Sequence, residues 1–331
     1  MTWLQQIDDK SFEIHSTDLT DGCPRRVQLR WEGKLLPHAP TALVRGMLAG
    51  SSCEHLHKQY LHTDDCHVWP DEQIEDLAKK SVSVGWDETE RSLIEDGRII
   101  TDSVERNIET IKAEVQKVLV SYIKNLGPLF LQTTLLGCET PCRMVLESDG
   151  EVYTFASHTD LIVRDPENAF GFGKGRVLIM DWKWRMEAPT KAYLSRNLQF
   201  AMYWLMGIQG KFKLQDWSGF TSIPDCENPQ MVWLHLPYLK PYNRKTIAKD
   251  KEGREVVYKK GDTRPISSTL RAVNFLPENM ERVAKTLVNR VDMYKAGFFP
   301  AIPEPVRCAN CEAESFWTRF DTAPIHGDNN E

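Results

Sequence analysis

Residues 176–183, RVLIMDWK, have the pattern of a buried β-strand that ends in two charges. Residues two apart on a strand share a face, so Asp181 and Lys183 point the same way. Burying either charge is costly unless the group is paired or binds a metal. The pattern therefore predicts either a salt-bridged strand end or a reactive site. The apolar residues divide between the two faces: Val177 and Ile179 beside the charges, and Leu178, Met180 and Trp182 opposite.

A second strand is predicted at residues 151–164, EVYTFASHTDLIVR, with a turn at residues 165–168. An antiparallel hairpin with residues 176–183 is the economical arrangement, and it brings Asp160 close to Asp181. The connecting loop lacks the strand-to-helix context of a dinucleotide-binding motif, so we interpret its glycines as a hairpin tip: Gly171, Gly173 and Gly175.

Helices are predicted on both sides of this hairpin. Residues 43–61 read as a helix that is broken or begins near Gly50, with Ser51 or Ser52 as its cap. Residues 190–208 read as one helix, on which Gln199 and Tyr203 are four apart and share a face. A further amphipathic helix is indicated by apolar residues spaced three and four apart: Val104, Ile108, Ile111, Val115, Val118 and Tyr122.

The composition is that of a globular protein, with 41% hydrophobic residues, a formal net charge of -6 and a pI near 5.9. A basic field over the whole chain is therefore excluded, and any contact with DNA needs a local groove. The start lacks the charged and apolar regions of a signal peptide, and no apolar run is long enough for a membrane span. We expect a cytoplasmic protein without a membrane partner, whose eight cysteines are thiols or metal ligands.

The order of these features carries more information than any one of them. Asp160, the triplet Asp181-Trp182-Lys183, and a helix with Gln199 and Tyr203 resemble the PD-(D/E)XK nuclease superfamily, and specifically its RecB-like exonuclease branch. The CPRR at Cys23, the region of His55, the phrase AGFFPAIP and the Cys-x-x-Cys at Cys308 and Cys311 resemble iron-sulfur members of that branch. These include AddB-type and CRISPR-associated nucleases and phage homologues. The resemblance covers most of the chain except residues 64–130 and 212–270.

The resemblance implies an α/β fold with a central mixed β-sheet flanked by helices, the restriction-endonuclease-like core, and a helical N-terminal insert. It implies one nuclease domain over residues 1–331. The insert then spans about residues 64–130, and a cysteine-bearing C-terminal segment spans residues 297–320.

The resemblance also implies site residues. Asp160 and Asp181 would hold Mg²⁺ or Mn²⁺, the backbone carbonyl of Trp182 would add a ligand, and Lys183 would orient the attacking water or stabilise developing charge. A further metal ligand is expected on an early helix, where alignment favours His55 narrowly over Glu54. The last two residues implied, Gln199 and Tyr203, would position DNA or brace the site.

For a cluster, the resemblance implies Cys23, Cys308 and Cys311 as ligands of a 4Fe–4S centre that ties the two ends of the chain together. The related pattern has a fourth cysteine near the place that Trp317 occupies here. The fourth ligand stays open, and so does zinc as the alternative metal, because thiolates suit both. The remaining cysteines are the candidates for it: Cys53, Cys66, Cys138, Cys142 and Cys226.

The function that follows is a metal-dependent DNA exonuclease in recombination, repair or phage DNA metabolism, in a bacterial or phage-infected cytoplasm. Its partner is DNA, as a single strand or a duplex end, with a helicase or recombinase as a further partner. Two alternatives stay open: a nuclease-like DNA-binding module without turnover, and a structure-specific endonuclease that uses the same site.

Overall fold

The computed structural model describes residues 4–8, 11–20, 24–32, 38–185, 190–215, 218–237, 245–249, 255–259 and 269–299. Strands and helices alternate along the chain, and the helices lie on both faces of a central mixed sheet. The predicted α/β fold class is thereby confirmed. The strands are β1 (Leu4–Asp8), β2 (Ser11–His15), β3 (His38–Ala39), β4 (Ile99–Ile100), β5 (Thr134–Ser148), β6 (Glu151–Asp165), β7 (Arg176–Arg185), β8 (Lys211–Phe212), β9 (Gln230–Pro237), β10 (Thr246–Lys249), β11 (Glu255–Tyr258) and β12 (Thr269–Val273). The helices are α1 (Ser16–Thr20), α2 (Pro24–Trp31), α3 (Thr41–Gln59), α4 (Asp71–Glu95), α5 (Asp102–Glu105), α6 (Ile108–Phe130), α7 (Lys191–Leu194), α8 (Leu198–Gln209) and α9 (Met280–Lys295).

The main sheet has eight strands, six of which follow the order β1-β2-β6-β7-β9-β12. β2 pairs with β6 and β7 pairs with β9 in parallel, whereas the other neighbours on this path are antiparallel. β5 pairs with β6, and β8 pairs with β5. The sheet is therefore mixed, as predicted.

β6 is shared by the two halves of this sheet. Residues 152–156 of β6 pair with β2, and residues 161–165 pair with β7. β5 pairs with nearly the whole length of β6. A strand has two edges, so β2 and β7 lie end to end on the same edge of β6. Between them, residues 157–160 pair with neither strand. The sheet is open at this point, which we call the β6 gap.

The alternation within β7 divides the core between the two faces of the sheet. Leu178, Met180 and Trp182 pack with α3, α4 and α6, whereas Val177 and Ile179 pack with α8 and α9. This is the division that the period of two predicts. Burial of the apolar side chains in both layers is the main favourable contribution to folding.

The helical stripe predicted upstream of the hairpin is confirmed in α6, where Ile111, Val115, Val118 and Tyr122 are fully buried. Val104 lies in the separate short helix α5. The helical character expected for residues 64–130 is present in α4, α5 and α6.

Two helix predictions were wrong in detail. The expected break near Gly50 is absent, and α3 is continuous. The Ser52 hydroxyl donates a hydrogen bond to the Leu48 carbonyl oxygen within the helix (2.6 Å) and does not cap a helix start. The single helix expected over residues 190–208 is divided into α7 and α8. Asn197 begins the second of these by accepting a hydrogen bond from the Phe200 N–H (3.0 Å), a capping role that asparagine favours over helix interiors.

Among the described helices, none combines the length and the apolar character required to cross a bilayer.

Candidate active site

Asp160 lies at the last position of the β6 gap, where β6 and β7 separate. The final paired residues are Leu161 and Met180, and one further step in this antiparallel register places Asp160 opposite Asp181. At that step the Trp182 N–H donates to the Asp160 carboxylate (N···Oδ2 2.7 Å). The predicted hairpin is thereby confirmed, and it brings Asp160 and Asp181 together.

Lys183 lies beside these acids on β7. Its Nζ is 2.7 Å from Oδ1 of Asp181, whose side chain is fully buried, whereas the Lys183 side chain is 29% exposed. The pair is therefore a strand-end ion pair, as one of the two interpretations of RVLIMDWK required. Further carboxylates lie close to this ion pair, so it is not an isolated contact at the end of a strand.

The pKa of Asp160 shows that this single lysine does not neutralise the site. That pKa is raised from 3.8 to about 7, mainly by burial and then by the negative charge of Asp181, while Lys183 and the Trp182 N–H act in the opposite direction. Asp160 is also hydrogen-bonded to the Asp181 side chain. The charge of Asp181 therefore disfavours the ionised form of Asp160, and a cation at the site would oppose that effect.

Glu139 is a third acid at this point, half-buried, and it is not among the site residues predicted from the sequence. Cys138 and Thr140 pair with Leu161 and Thr159, so Glu139 on β5 lies opposite Asp160. Its φ is +47°, in the left-handed region, which costs a non-glycine residue about 1–3 kcal/mol. A single acid within the apolar run LLGCETP is the same signal that singled out RVLIMDWK, and it could have identified this residue.

Burial raises the pKa of Glu139 well above its usual range, and the charges of Asp160 and Glu54 raise it further. Lys183 acts in the opposite direction. Three carboxyl groups on three adjacent strands thus lie close to Lys183, which lowers the pKa of both Asp160 and Glu139.

A cavity of about 590 Å³ opens onto these groups between the sheet and α3. Its sheet wall includes Glu139, Asp160 and Lys183, and its helical wall includes Gly50 and Glu54. The cavity gives a small ligand access to the carboxylates of the β6 gap.

A family comparison agrees with this geometry. The model of the PD-(D/E)XK nuclease superfamily matches residues 16–316. This chain belongs to that superfamily. The matched residues include the β6 gap, the hairpin and both helical layers. The carboxylates and Lys183 are therefore the candidate active site of a nuclease.

Comparisons with individual proteins add little to the superfamily assignment. No curated protein matches the chain. Among solved structures, the crystal structure of SSO0001 aligns with 94% of this chain and 87% of its own, at 10% identity and a TM-score of 0.35. A likeness this low carries no inference about function.

Glu54 and His55, the two candidates for the metal ligand on an early helix, have different surroundings in the structure. Glu54 lines the cavity and forms an ion pair with Lys58 on the next turn of α3. His55 is not among the described residues that line the cavity. Its ring lies against Tyr60 (centroids 5.9 Å apart), and its pKa is lowered by burial and then by the charge of Lys80. The geometry brings Glu54, and not His55, to the carboxylates.

Gln199 and Tyr203 of α8 approach the β6 gap from the opposite face of the sheet. Gln199 Nε2 donates to the Tyr203 hydroxyl (3.0 Å), which donates to the His158 carbonyl oxygen (2.9 Å). Burial and the charges of Asp181 and Asp160 raise the pKa of Tyr203 well above its usual range. In this nuclease fold Tyr203 contacts the backbone of the gap near Asp160, and Gln199 holds the Tyr203 hydroxyl.

The donor set of the site fits a hard divalent cation, although no three His, Cys, Asp or Glu side chains of the described ranges already converge on one point. Asp160, Asp181 and Glu139 supply carboxylate oxygens, which are the ligands that Mg²⁺ and Mn²⁺ prefer. Nucleases of this superfamily typically use these ions. The raised pKa values of Asp160 and Glu139 express an excess of negative charge that such a cation would neutralise.

The residues predicted to hold a cluster, Cys23, Cys308 and Cys311, lie outside the described residues. The candidates for the fourth ligand are described as free thiols, four of them buried. Burial raises the pKa of each above its usual range, to about 11 for Cys66 and Cys226 and to about 12 for Cys142. The same direction holds for Cys53 and Cys138. These environments disfavour the thiolate that a metal ligand requires.

Proposed function

We propose that this chain is a metal-dependent DNA exonuclease. The observation that carries the proposal is the placement of Asp160 and Asp181 at the β6 gap, with Lys183 beside them and a cavity open to solvent. Membership of a nuclease superfamily supports the reaction class, phosphodiester hydrolysis.

In this proposal Asp160 and Asp181 hold the Mg²⁺ or Mn²⁺ ion, and the backbone carbonyl of Trp182 adds a ligand. Glu139, Glu54 and Glu88 line the cavity together with Asp160, and Asp181 lies behind its wall. Glu54 replaces His55 as the early-helix ligand because it alone of the two lines that cavity. When bound, the cation lowers the pKa of water and neutralises charge on the phosphate.

Lys183 is the cationic group of the reaction. Water oxygen forms a bond to phosphorus while the bond from phosphorus to the leaving oxygen breaks, and negative charge grows on the phosphoryl oxygens. The Lys183 ammonium, held by Asp181, orients the attacking water or stabilises that charge. Gln199 and Tyr203 support the strand from behind by fixing the His158 carbonyl two residues before Asp160.

The acidic cavity does not itself attract a polyanion, so DNA must be held by cations elsewhere. Residues 240–264 contain nine Lys and Arg against four Asp and Glu, a net charge of +5 in a chain of net charge -6. The β10–β11 ribbon lies within this segment, which connects β9 to β12. His235 of β9 pairs with both Lys183 and Thr269. The end of β9 and the start of β12, which this segment connects, therefore both lie near Lys183. We assign DNA backbone binding to this segment.

The function is tested with a linear duplex, a single strand and a covalently closed circle, each incubated with Mg²⁺ or Mn²⁺. We expect degradation of one or both linear substrates from their ends and survival of the circle. Degradation of the circle would replace the exonuclease proposal with an endonuclease. No cleavage of any substrate with either ion would leave a DNA-binding module.

The site is tested by Asp181→Ala in the same assay. We expect hydrolysis to be lost while the fold and DNA binding are largely kept, because the carboxylate is a metal ligand in the proposal. Asp87→Ala, which removes an exposed acid of α4, is the matched control and should keep wild-type activity. Equal activity of the two variants would remove Asp181 from the site.

A 4Fe–4S cluster at Cys23, Cys308 and Cys311 is proposed separately, as a structural link between the ends of the chain. Iron and sulfide analysis after anaerobic purification tests it, with about four of each per chain expected. A colourless protein that contains stoichiometric zinc would refute the cluster. Co-purification with a helicase or recombinase would test the proposed role in recombination, repair or phage DNA metabolism.

A further inference from the structure

A line of hydrogen bonds runs from Trp182, behind the candidate active site, through the helical layer. The Trp182 indole Nε1–H donates to the Tyr122 hydroxyl (3.3 Å), and the Tyr122 hydroxyl is 2.8 Å from Nε2 of His57. Nδ1 of His57 is 2.9 Å from Nε2 of His62, and Nδ1 of His62 is 3.0 Å from the Thr133 hydroxyl oxygen. The Thr133 hydroxyl donates to the Phe130 carbonyl oxygen (2.7 Å).

For neutral imidazoles, the form that their buried surroundings favour, the Thr133 end determines every donor and acceptor in this line. An indole N–H can only donate and a carbonyl oxygen can only accept. Thr133 uses its one hydrogen on Phe130, so it accepts from Nδ1–H of His62, whose bare Nε2 accepts from Nδ1–H of His57. The bare Nε2 of His57 then accepts from the Tyr122 hydroxyl, which accepts from Trp182. Both imidazoles are therefore neutral Nδ1–H tautomers.

The surroundings agree with neutral rings. His57 and Tyr122 are buried, and His57 packs against Phe130 (ring centroids 4.5 Å apart) and Trp182 (5.5 Å). Burial lowers the pKa of His57 well below its usual range and the pKa of His62 to about 4. A buried line in which each polar group has its partner is rigid, whereas losing one member leaves its neighbours unsatisfied.

Trp182 joins this line to the site. Its side chain begins the line, its backbone N–H holds the Asp160 carboxylate, and its chain neighbours are Asp181 and Lys183. We propose that Tyr122, His57 and His62 are positioning residues, which fix Trp182 and thereby the orientation of Asp160 and Asp181 toward the divalent cation. The inference rests on the proposed function, and it adds residues from α3, α6 and the turn after α3 to the site.

The test compares Tyr122→Phe with the wild-type chain. The substitution keeps the ring but breaks the line on both sides of the lost hydroxyl. We expect the Mg²⁺ concentration for half-maximal hydrolysis to rise about 10-fold or more, as for other partners behind a metal ligand. The KM for DNA at saturating Mg²⁺ should change little.

Val115→Ala is the control for general destabilisation, because Val115 is buried on α6 two turns before Tyr122 and is not a member of the line. If Tyr122→Phe shifts the Mg²⁺ requirement no more than Val115→Ala does, the proposal is overturned. Mg²⁺ and Mn²⁺ binding measured by calorimetry without DNA separates the two proposals. A wild type that binds Mg²⁺ or Mn²⁺ but cuts no DNA with that ion overturns the nuclease. A wild type that cuts while Tyr122→Phe binds the same ion equally well overturns only the positioning role. A wild type that binds neither Mg²⁺ nor Mn²⁺ overturns both.

A measurement on the wild-type chain keeps the proposal testable if the variant does not fold. Nitrogen NMR of the imidazoles at pH 7.5 should show Nδ1–H tautomers for both His57 and His62. An Nε2–H tautomer at either residue contradicts the line.

Discussion

Asp160 has surroundings that disfavour its ionised carboxylate when no cation is bound. Its carboxyl is buried, hydrogen-bonded to the Asp181 side chain and opposite Glu139, and its pKa is raised to about 7. A buried group with this pKa is a cost to folding at neutral pH that cation binding relieves. Asp160, the metal ligand of the proposed function, thus lowers the stability of the metal-free fold at neutral pH.

Asp160→Asn should therefore stabilise the metal-free protein. The folded chain holds a proton on Asp160 between pH 3.8 and about 7 that the unfolded chain has released, so the wild type loses stability as pH rises through this window. The variant does not, and its advantage in free energy of unfolding should grow from pH 5 to about pH 7, by at most about 1.4 kcal/mol per pH unit, and level off above that. Thermal unfolding in chelator measures this. Added Mg²⁺ should stabilise the wild type and not the variant, and an advantage independent of pH would contradict the raised pKa of Asp160.

Glu54 and His55 are adjacent in sequence, but we expect their substitutions to change the Mg²⁺ requirement of the activity differently. Glu54→Gln should raise the Mg²⁺ concentration for half-maximal activity about 10-fold, because Glu54 lines the cavity with the other carboxylates. His55→Gln should leave it near the wild-type value, since that ring packs on Tyr60. Titration of activity with Mg²⁺ in both variants decides between them, and the opposite ranking would restore His55 as the ligand.

At the scale of elements, the site depends on how closely α3 approaches α4. Gly85 of α4 lies against Ser52 of α3, where an added Cβ would be 2.8 Å from the Ser52 backbone nitrogen. Backbone cannot yield to such a contact as a flexible side chain can. The close approach holds the helix that carries Glu54 against the helical layer.

Gly85→Ala should lower the free energy of unfolding by about 1–3 kcal/mol, the range for overpacking a buried contact. Gly50→Ala is the matched control, because that helical position has open space around it, and alanine should stabilise α3 by up to about 1 kcal/mol. Urea unfolding compares the two. Equal stability of Gly85→Ala and the wild type would mean that α3 and α4 move apart without cost.

At the scale of the whole molecule, charge is divided between an acidic cavity and a basic segment. The β10–β11 ribbon carries exposed Lys245 and Lys259 at its base, and its register sets Ile247 opposite Val257 on a face where both are exposed. In the proposed function, the cavity binds the divalent cation and the ribbon binds the phosphates of DNA.

Replacing Lys245 and Lys259 together with alanine should raise the KM for DNA and leave kcat unchanged. Each lost phosphate contact reduces the slope of log affinity against log salt by about 0.7–0.9, so the slope should fall by at most about 2. Fluorescence anisotropy over a series of salt concentrations measures it. Replacement of Lys79 and Lys285, which are exposed on α4 and α9, is the control, and an equal effect there would show that the ribbon has no special role.

Local pattern was sufficient for the centre of the site. The period of two in RVLIMDWK determined which residues of β7 enter each layer, and the short loop before it determined the antiparallel pairing that brings Asp160 to Asp181. These relations hold between residues close in sequence, where backbone geometry leaves few alternatives. Even here, Asn197 as a helix cap and the continuity of α3 through Gly50 escaped prediction, because capping and helix breaking compete at nearly equal free energy.

Only the tertiary structure decided what surrounds that centre. The β6 gap exists because β2 and β7 share one edge of β6, and sheet order is a relation between distant segments that no local pattern contains. The same is true of Glu139 opposite Asp160, of Glu54 rather than His55 in the cavity wall, and of the hydrogen bonds that join Trp182 to Tyr122 and His57. The sequence by itself determined which acid, amine and strand lie together, and packing of the helical layer on the sheet decided which other side chains reach them.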